Sequence, residues 1–383
     1  MKRIAILGST GTIGVQALEV LSQLDTYEVV ALAAGRNVER LAQQIRRYRP
    51  KLVAVADDEA RRALRALVPG DPVDIVVGDE GLVACAAYPS DVVLNAVVGA
   101  RGILPALAAV GRGARLALAN KECLVAAGDL ILRAMRDAGG EIVPVDSEHC
   151  ALHQCLRSGR PEEIRRLVLT ASGGPFRSWP KARMAEVTVR DALRHPNWHM
   201  GQKITIDSAT MMNKGLEVIE AHHLFGVPYD KIAVLVHPQS IVHSMVEFVD
   251  GSVMAQLATA DMRLPIQYAI TYPDRLPAPW PRLDLASVGT LHFEEPDLDK
   301  FRCLRLAIEA GRAGGIAPCV LNAANEVAVD AFLREAISFL RIPEVVEAVL
   351  ARVPNEVPQS VDDVLRADAE ARRLAELYVS KGG

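Results

Sequence analysis

The sequence predicts an α/β protein: an N-terminal Rossmann-like doubly wound sheet, a central α+β catalytic domain and a C-terminal helical domain. Three observations carry that expectation. Short β-like runs alternate with helical runs from residue 1 to about 146. A Gly-x-x-Gly-x-x-Gly turn at 8–14 joins the first such run to the first helix. Beyond a proline-rich stretch beginning at Pro273, the chain reads as helices alone.

Taken in order, strands are expected at 4–7, 29–33, 52–55, 75–77, 92–95, 115–119 and 142–145, with helices such as 13–21, 38–47 and 123–136 between them. Residues 1–146 are therefore expected to form a parallel, doubly wound sheet, with the glycine turn at 8–14 as its candidate nucleotide site. The pattern changes from 147 to 272. A helix at 148–156 leads to a strand at 165–170, then to a long irregular segment ending near Gly201. Residues 203–207 alternate like a strand, and a helix follows at 209–225, which puts Ser208 at or near its N-cap. Strands at 232–236, 242–248 and 253–257 in hairpin-like succession suggest a sheet with an antiparallel part, suited to a dimer surface. Pro273, Pro277, Pro279 and Pro281 mark a linker over 273–299. Helices near 301–312, 317–335, 343–352 and 360–379 make the last domain, 300–383.

Composition narrows the function classes. A net charge of −4 with both signs interspersed, and only 4% aromatic residues, argue against a nucleic-acid surface. No apolar run is long enough to span a membrane. Six cysteines without a C-x-x-C pair, mostly in apolar surroundings, look like small core residues of a reducing compartment. The chain starts Met-Lys-Arg and runs straight into a strand, which leaves no room for a targeting peptide, so a cytoplasmic enzyme is expected.

The glycines at 8–14 suit a pyrophosphate: they let the backbone approach closely, and the helix N-terminus faces the anion. Ser9, Thr10 and Thr12 add hydroxyl donors. The same turn could simply join strand to helix. The second strand runs into Gly35-Arg36-Asn37 with no acid to accept from a ribose 2′-hydroxyl. A guanidinium there suits a 2′-phosphate, so NADPH is favoured over NADH; otherwise Arg36 merely caps the turn.

Asp146, Ser147 and Glu148 follow the strand at 142–145, at the sheet edge where ligands bind. With Glu217, Asp146 and Glu148 offer three carboxylates, hard oxygen ligands for Mg²⁺ or Mn²⁺. Asp146 and Ser147 equally suit a helix N-cap. His149 and His153 lack the partners of a zinc site. Over 206–220, Met212, Leu216 and Ile219 recur as a buried stripe, and Asn213, Lys214 and Glu217 lie on a neighbouring face. These suit a phosphorylated or metal-chelating ligand, or else a solvated Lys–Glu pair. Ser172-Gly-Gly-Pro is a candidate anion nest, or else a structural turn. Residues 195–201, with His195, Trp198, His199 and Gly201, read like an active-site lid, or else a loop that merely buries its Trp. Asn120, Lys121 and Glu122 follow another strand's carboxyl end, in reach of a nicotinamide and substrate, or else form the next helix's first turn.

These stretches together resemble the 1-deoxy-D-xylulose 5-phosphate reductoisomerase family. GSTGTIG at 8–14, AGRN at 34–37, ANKE at 119–122, VDSE at 145–148 and SGGPF at 172–176 carry the likeness. HPNW at 195–198, DSATMMNKGLE at 207–217, HPQSIVHSMVEF at 237–248, DMRLPIQYA at 261–269 and LNAANE at 321–326 extend it over nearly the whole chain. The resemblance implies a homodimer acting on a small phosphorylated sugar with NADPH and Mg²⁺ or Mn²⁺, Co²⁺ being a further option. It implies cofactor contacts at Thr10, Gly11, Thr12, Ile13, Gly35, Arg36, Asn37, Asn120, Glu122 and Gly201. It implies metal ligands at Asp146, Glu148 and Glu217, which with Lys121 form the catalytic set. Lys121 and Ser147 would contact substrate near the reacting oxygens. Ser172, His195, Ser208, Asn213 and Lys214 would hold its phosphate end, and Trp198 would close over it. Thr12 and Arg36 stand where many members have Ser and Lys; both changes keep the donor or the charge. The implied chemistry is rearrangement to a branched aldehyde, by retroaldol cleavage and aldol rejoining, then hydride delivery from NADPH. A simple NADP-dependent dehydrogenase without isomerisation is the alternative, against which the carboxylate set argues.

Overall fold

The structure, a computed structural model, describes residues 1–198 and 200–380; His199 of the expected lid lies outside the described residues. Chain contacts divide it into two compact units.

The first unit comprises Met1–Cys123, Ile131–Cys150 and Asp261–Trp280. Its seven strands are β1 (Lys2–Leu7), β2 (Tyr27–Ala33), β3 (Leu52–Val55), β4 (Asp74–Val77), β5 (Val92–Asn95), β6 (Arg115–Leu118) and β7 (Glu141–Pro144). They form one sheet in the order β4-β3-β2-β1-β5-β6-β7, with every pairing parallel. The chain winds from β1 out to β4, then restarts at β5 on the other side of β1. The carboxyl ends of β1 and β5 thus flank the switch point, where open α/β sheets bind ligands. β1 and β5 are almost continuously apolar because both sheet faces are covered: Ile4, Ala5, Ile6, Val93 and Leu94 are all fully buried. A further helix, Arg263–Thr271, has no clear signature in the sequence. It packs Ile266, Ala269 and Ile270 into this unit's core, and the Tyr27 hydroxyl donates to the Ile270 carbonyl at 2.9 Å. Local pattern is weak there, because nearly all of its residues are buried and no polar face remains to show a period.

The second unit comprises Leu124–Leu130, Ala151–Ala260 and the chain from Pro281 onward. Strands β8 (Ile164–Ala171), β9 (Ile232–Val236), β10 (Val242–Phe248) and β11 (Val253–Leu257) form a sheet in the order β11-β10-β8-β9. β8 and β9 are parallel; β10 runs antiparallel to both β8 and β11. The helix Met212–Phe225 packs on β8 and β9 on one side and on the helix Arg302–Ala313 on another. That crossing is close: a Cβ on Gly215 would stand 2.3 Å from the Ala307 methyl. Ala317–Leu333, Arg341–Arg352 and Val361–Ser380 complete the helical part.

Residues 203–207 are not a strand but lie within the helix Gln202–Thr210. Two alternating isoleucines are too few to fix a period, and the helix is favoured by an ion pair at i, i+4, Lys203 Nζ to Asp207 at 2.8 Å. The helix stops at Met211, which takes the left-handed conformation (φ 59°, ψ 13°), and Met212–Phe225 begins at once. Ser208 therefore sits in the last turn of one helix rather than at the N-cap of the next. The segment read as irregular also contains a 3₁₀ stretch, Lys181–Glu186, and a short helix, Val189–Ala192, capped by Thr188.

Candidate active site

At the carboxyl ends of β1 and β2 an exposed rim collects Gly11, Thr12, Gly35, Arg36 and Asn37, with Thr10 and Ile13 half-buried beside them. Gly8 takes φ 84°, and a Cβ on it would lie 2.5 Å from the Ala96 carbonyl oxygen. A Cβ on Gly14 would lie 2.3 Å from the Gly8 carbonyl oxygen, so the first helix reaches this close to the turn only as glycine. Ser9, expected as a ligand donor, is fully buried. Its hydroxyl donates to Gln44 Oε1 at 2.8 Å, and Gln44 Nε2 donates back to the Ser9 carbonyl at 2.8 Å. Arg40 Nη1 donates to the Thr10 carbonyl at 3.0 Å. The glycine turn is thus bolted to the helix Val38–Tyr48. Gln44 and Arg40 carry no local sequence signal that distinguishes them from surface residues.

Arg36 is highly exposed and reaches Asp57 with Nη2 at 2.8 Å and Nε at 3.1 Å. Asp57 also caps the helix Asp58–Leu67 by accepting from the Ala60 N–H at 2.9 Å. The guanidinium is therefore held at the rim by a carboxylate 21 positions further along the chain. Asn37 caps Val38–Tyr48, its Oδ1 accepting from the Arg40 N–H at 3.1 Å. Asn120 spends its carboxamide on structure: Nδ2 donates to the carbonyls of Val97 and Gly99, and Oδ1 accepts from the Cys123 N–H at 3.1 Å.

Lys121, just before the helix Glu122–Ala138, is buried and pairs with Asp146, just beyond β7. Burial pushes the Asp146 carboxyl up, but the Lys121 ammonium and then His149 outweigh it and hold the group well below the usual carboxylate range. His149 is fully buried, with Nδ1 4.0 Å from Asp146 Oδ1. Ser147 opens the helix Ser147–Cys155, and its hydroxyl donates to Glu148 Oε2 at 2.7 Å. Asp146, Ser147 and Glu148 thus do form a helix start, and they carry two carboxylates at a sheet edge as well.

In the second unit, Lys214 and Glu217 are almost closed to solvent and form an ion pair, and Asn213 Nδ2 donates to the other Glu217 oxygen. The solvated-face reading of this pair therefore fails. Asp207 is equally buried, and its Oδ1 accepts from Asn325 Nδ2 at 2.8 Å. Gly173 and Gly174 take φ of 80° and 66°, forming the nest-like turn after Ser172. His195 Nδ1 accepts from the N–H groups of Trp198 at 2.9 Å and Asn197 at 3.2 Å, so a neutral ring carries its proton on Nε2. That Nε2 lies 3.1 Å from the Ser172 oxygen, which also accepts from the Gly174 N–H at 3.2 Å. With its oxygen accepting twice, the Ser172 hydroxyl has a proton to offer an anion. Ser208 is half-buried, its carbonyl against Gly174, and Gly201 is exposed at the start of Gln202–Thr210.

Three domain families match the chain: 1-deoxy-D-xylulose 5-phosphate reductoisomerase over 4–128, its C-terminal domain over 142–225, and the DXP reductoisomerase C-terminal domain over 257–374. The 1-deoxy-D-xylulose 5-phosphate reductoisomerase of Chloroherpeton thalassium is 52% identical over 375 residues, 97% of each chain. That of Gloeobacter violaceus is 52% identical over 385 residues, covering 100% of this chain and 98% of the relative. Among solved structures, the Zymomonas mobilis enzyme in complex with NADPH superposes with a TM-score of 0.93 at 44% identity, over 99% of each chain. A DOX-P reductoisomerase in complex with NADPH, fosmidomycin and magnesium gives 0.95 at 41% identity, over 100% of each. With relatives matched from end to end, and with its own motif residues gathered at sheet edges and in buried ionic pairs, the chain belongs to the 1-deoxy-D-xylulose 5-phosphate reductoisomerase family.

Proposed function

We infer that the chain converts 1-deoxy-D-xylulose 5-phosphate to 2-C-methyl-D-erythritol 4-phosphate, using NADPH and a divalent cation. The observation that carries this reading is the pair of buried ionic contacts, Lys121 with Asp146 and Lys214 with Glu217. Buried ion pairs are weak devices for stability, because desolvation offsets their attraction. Four such charges at motif positions are better explained by a charged ligand and a metal ion.

Asp146, Glu148 and Glu217 are the proposed metal ligands, and their chemistry fits: all are carboxylates, and the Lys121 ammonium beside Asp146 favours its ionised form. When bound, the cation supplies polarisation of the substrate carbonyl and NADPH supplies the hydride. The protein's own groups bind and orient. Lys121 and Ser147 are proposed to face the reacting oxygens, with the ammonium offsetting negative charge that develops there. Ser172, Ser208, Asn213, Lys214 and His195 are proposed to take the phosphate, the Ser172 hydroxyl donating as its hydrogen bonds require. Trp198 is proposed to cover the apolar side and exclude water. Thr10, Gly11, Thr12, Ile13, Gly35, Arg36, Asn37, Asn120, Glu122 and Gly201 remain the proposed cofactor contacts. Asn120 would serve mainly by fixing the 97–99 loop.

Two coarser features support further readings. No helix among the described residues is long and apolar enough to cross a membrane, and all six cysteines are free and buried, which suits a cytoplasmic setting. The edge strand β11 leaves Val253 and Met254 exposed, and Val249 precedes it at 66% exposure. Such an edge suits a second copy of the chain, a homodimer. The reaction is tested by NADPH oxidation with 1-deoxy-D-xylulose 5-phosphate, with and without Mg²⁺ or Mn²⁺, followed by identification of the product. An unrearranged alcohol would instead identify a simple dehydrogenase.

A further inference from the structure

We propose that Asn197 is a latch that holds the 193–198 stretch over the phosphate-binding end. It is a positioning residue that acts through His195 and Trp198, and the inference rests on the reading of those two residues given above. The Asn197 carboxamide makes two contacts with one turn: Nδ2 donates to the Pro238 carbonyl at 2.6 Å and to Ser240 Oγ at 3.0 Å. One NH₂ group has two hydrogens, and the turn supplies two acceptors.

The receiving turn is also held by hydrogen bonds that do not involve Asn197. His237 is fully buried; its Nδ1 lies 2.8 Å from the His292 carbonyl and its Nε2 accepts from the Ile241 N–H at 3.2 Å. The His237 N–H donates to the Ala171 carbonyl of β8 at 2.6 Å, and the Ser240 N–H donates to the His237 carbonyl at 3.1 Å. Ser240 takes φ 53°, a left-handed conformation that glycine would adopt at lower cost. A serine kept in that strained position is explained by its hydroxyl, the second acceptor for Asn197.

On the other side, Asn197 is tied to the groups it would position. Its own N–H and that of Trp198 both donate to His195 Nδ1, and His195 Nε2 contacts Ser172. The Trp198 ring stands 6.3 Å from that of His243, on the strand that follows the turn. By contrast, the chain just before the stretch is anchored: Phe176 is buried between Trp179 and Phe339, and Met184 and Ala192 are buried too. The part that can swing at least cost is the exposed end that carries Asn197.

The test uses full-length enzyme with Asn197→Ala, Ser240→Gly and the double variant. Ser240→Gly suits the left-handed backbone and removes the hydroxymethyl group that carries the second acceptor. Asn197→Ala is expected to raise KM for 1-deoxy-D-xylulose 5-phosphate and to speed fosmidomycin release, each by roughly tenfold, with KM for NADPH held within about twofold. Ser240→Gly is expected to act in the same direction but less strongly. The double variant should be no worse than Asn197→Ala, because both remove one shared interaction. Independent, multiplicative losses, or a loss confined to kcat, would overturn the latch. Should the unmodified enzyme fail to turn over this substrate, the functional reading fails separately. The latch is then decided by hydrogen exchange at the amides of Asn197 and Trp198: faster in Asn197→Ala sustains it, unchanged exchange overturns it.

Discussion

Lys214 and Glu217 stand one helical turn apart with side chains 4% and 1% exposed, and each supplies the other's counter-charge. Glu217→Gln leaves an ammonium buried without that charge. It should cost about 3 kcal/mol of stability and remove most turnover. Lys214→Met with Glu217→Gln should regain much of the stability and none of the activity. Denaturant unfolding and NADPH oxidation, measured on the same preparations, separate the two effects. Equal stability of the single and double variants would contradict the account.

The Ser9–Gln44 bolt makes the proposed cofactor rim depend on a residue outside the glycine motif. Gln44→Ala strands two buried Ser9 groups and should cost about 2 kcal/mol. By loosening the turn it should also weaken NADPH binding by roughly tenfold. Fluorescence titration of NADPH checks this, and unchanged affinity would confine Gln44 to a purely stabilising role.

Arg36 and Asp57 give a test of cofactor choice. Arg36→Ala should narrow the preference for NADPH over NADH by roughly tenfold, through cofactor KM. Asp57→Asn preserves the helix cap, since asparagine caps as well as aspartate. It should therefore leave the fold intact and change the preference far less. The ratio of kcat/KM for the two cofactors is the measurement, and a ratio unaltered in Arg36→Ala would remove the guanidinium from the argument.

Acid should destabilise the second unit through His223. Burial lowers its pKa to about 4; Asp129, 3.6 Å away, opposes this and His222 adds to it. The ring is held neutral while the unfolded chain takes up a proton near pH 6.5. Its contribution is therefore complete above pH 6.5 and is lost as pH falls towards 4, by roughly 2–3 kcal/mol. His223→Met should flatten that part of the stability profile in urea unfolding at pH 7, 5.5 and 4.5. A slope identical to that of the unmodified protein would assign the acid sensitivity elsewhere.

Sequence alone determined what depends on neighbours in the chain. The parallel βα succession, the glycine turn, β8 to β11 and the four C-terminal helices follow from period, turn chemistry and length, and the structure has them within a few residues. The motif residues could be named because they are linear strings. Tertiary structure decided what depends on partners far away in sequence. Residues 203–207 are helical because the chain around them packs as a helix, and two isoleucines could not say so. Ser9 turns inward because Gln44, 35 positions on, meets it there. The helix Arg263–Thr271 shows little period because burial on most sides erases the polar face by which an amphipathic helix is recognised. Whether a Lys–Glu pair is solvated or closed off is likewise set by the elements packed over it, since spacing fixes only that the two side chains can meet.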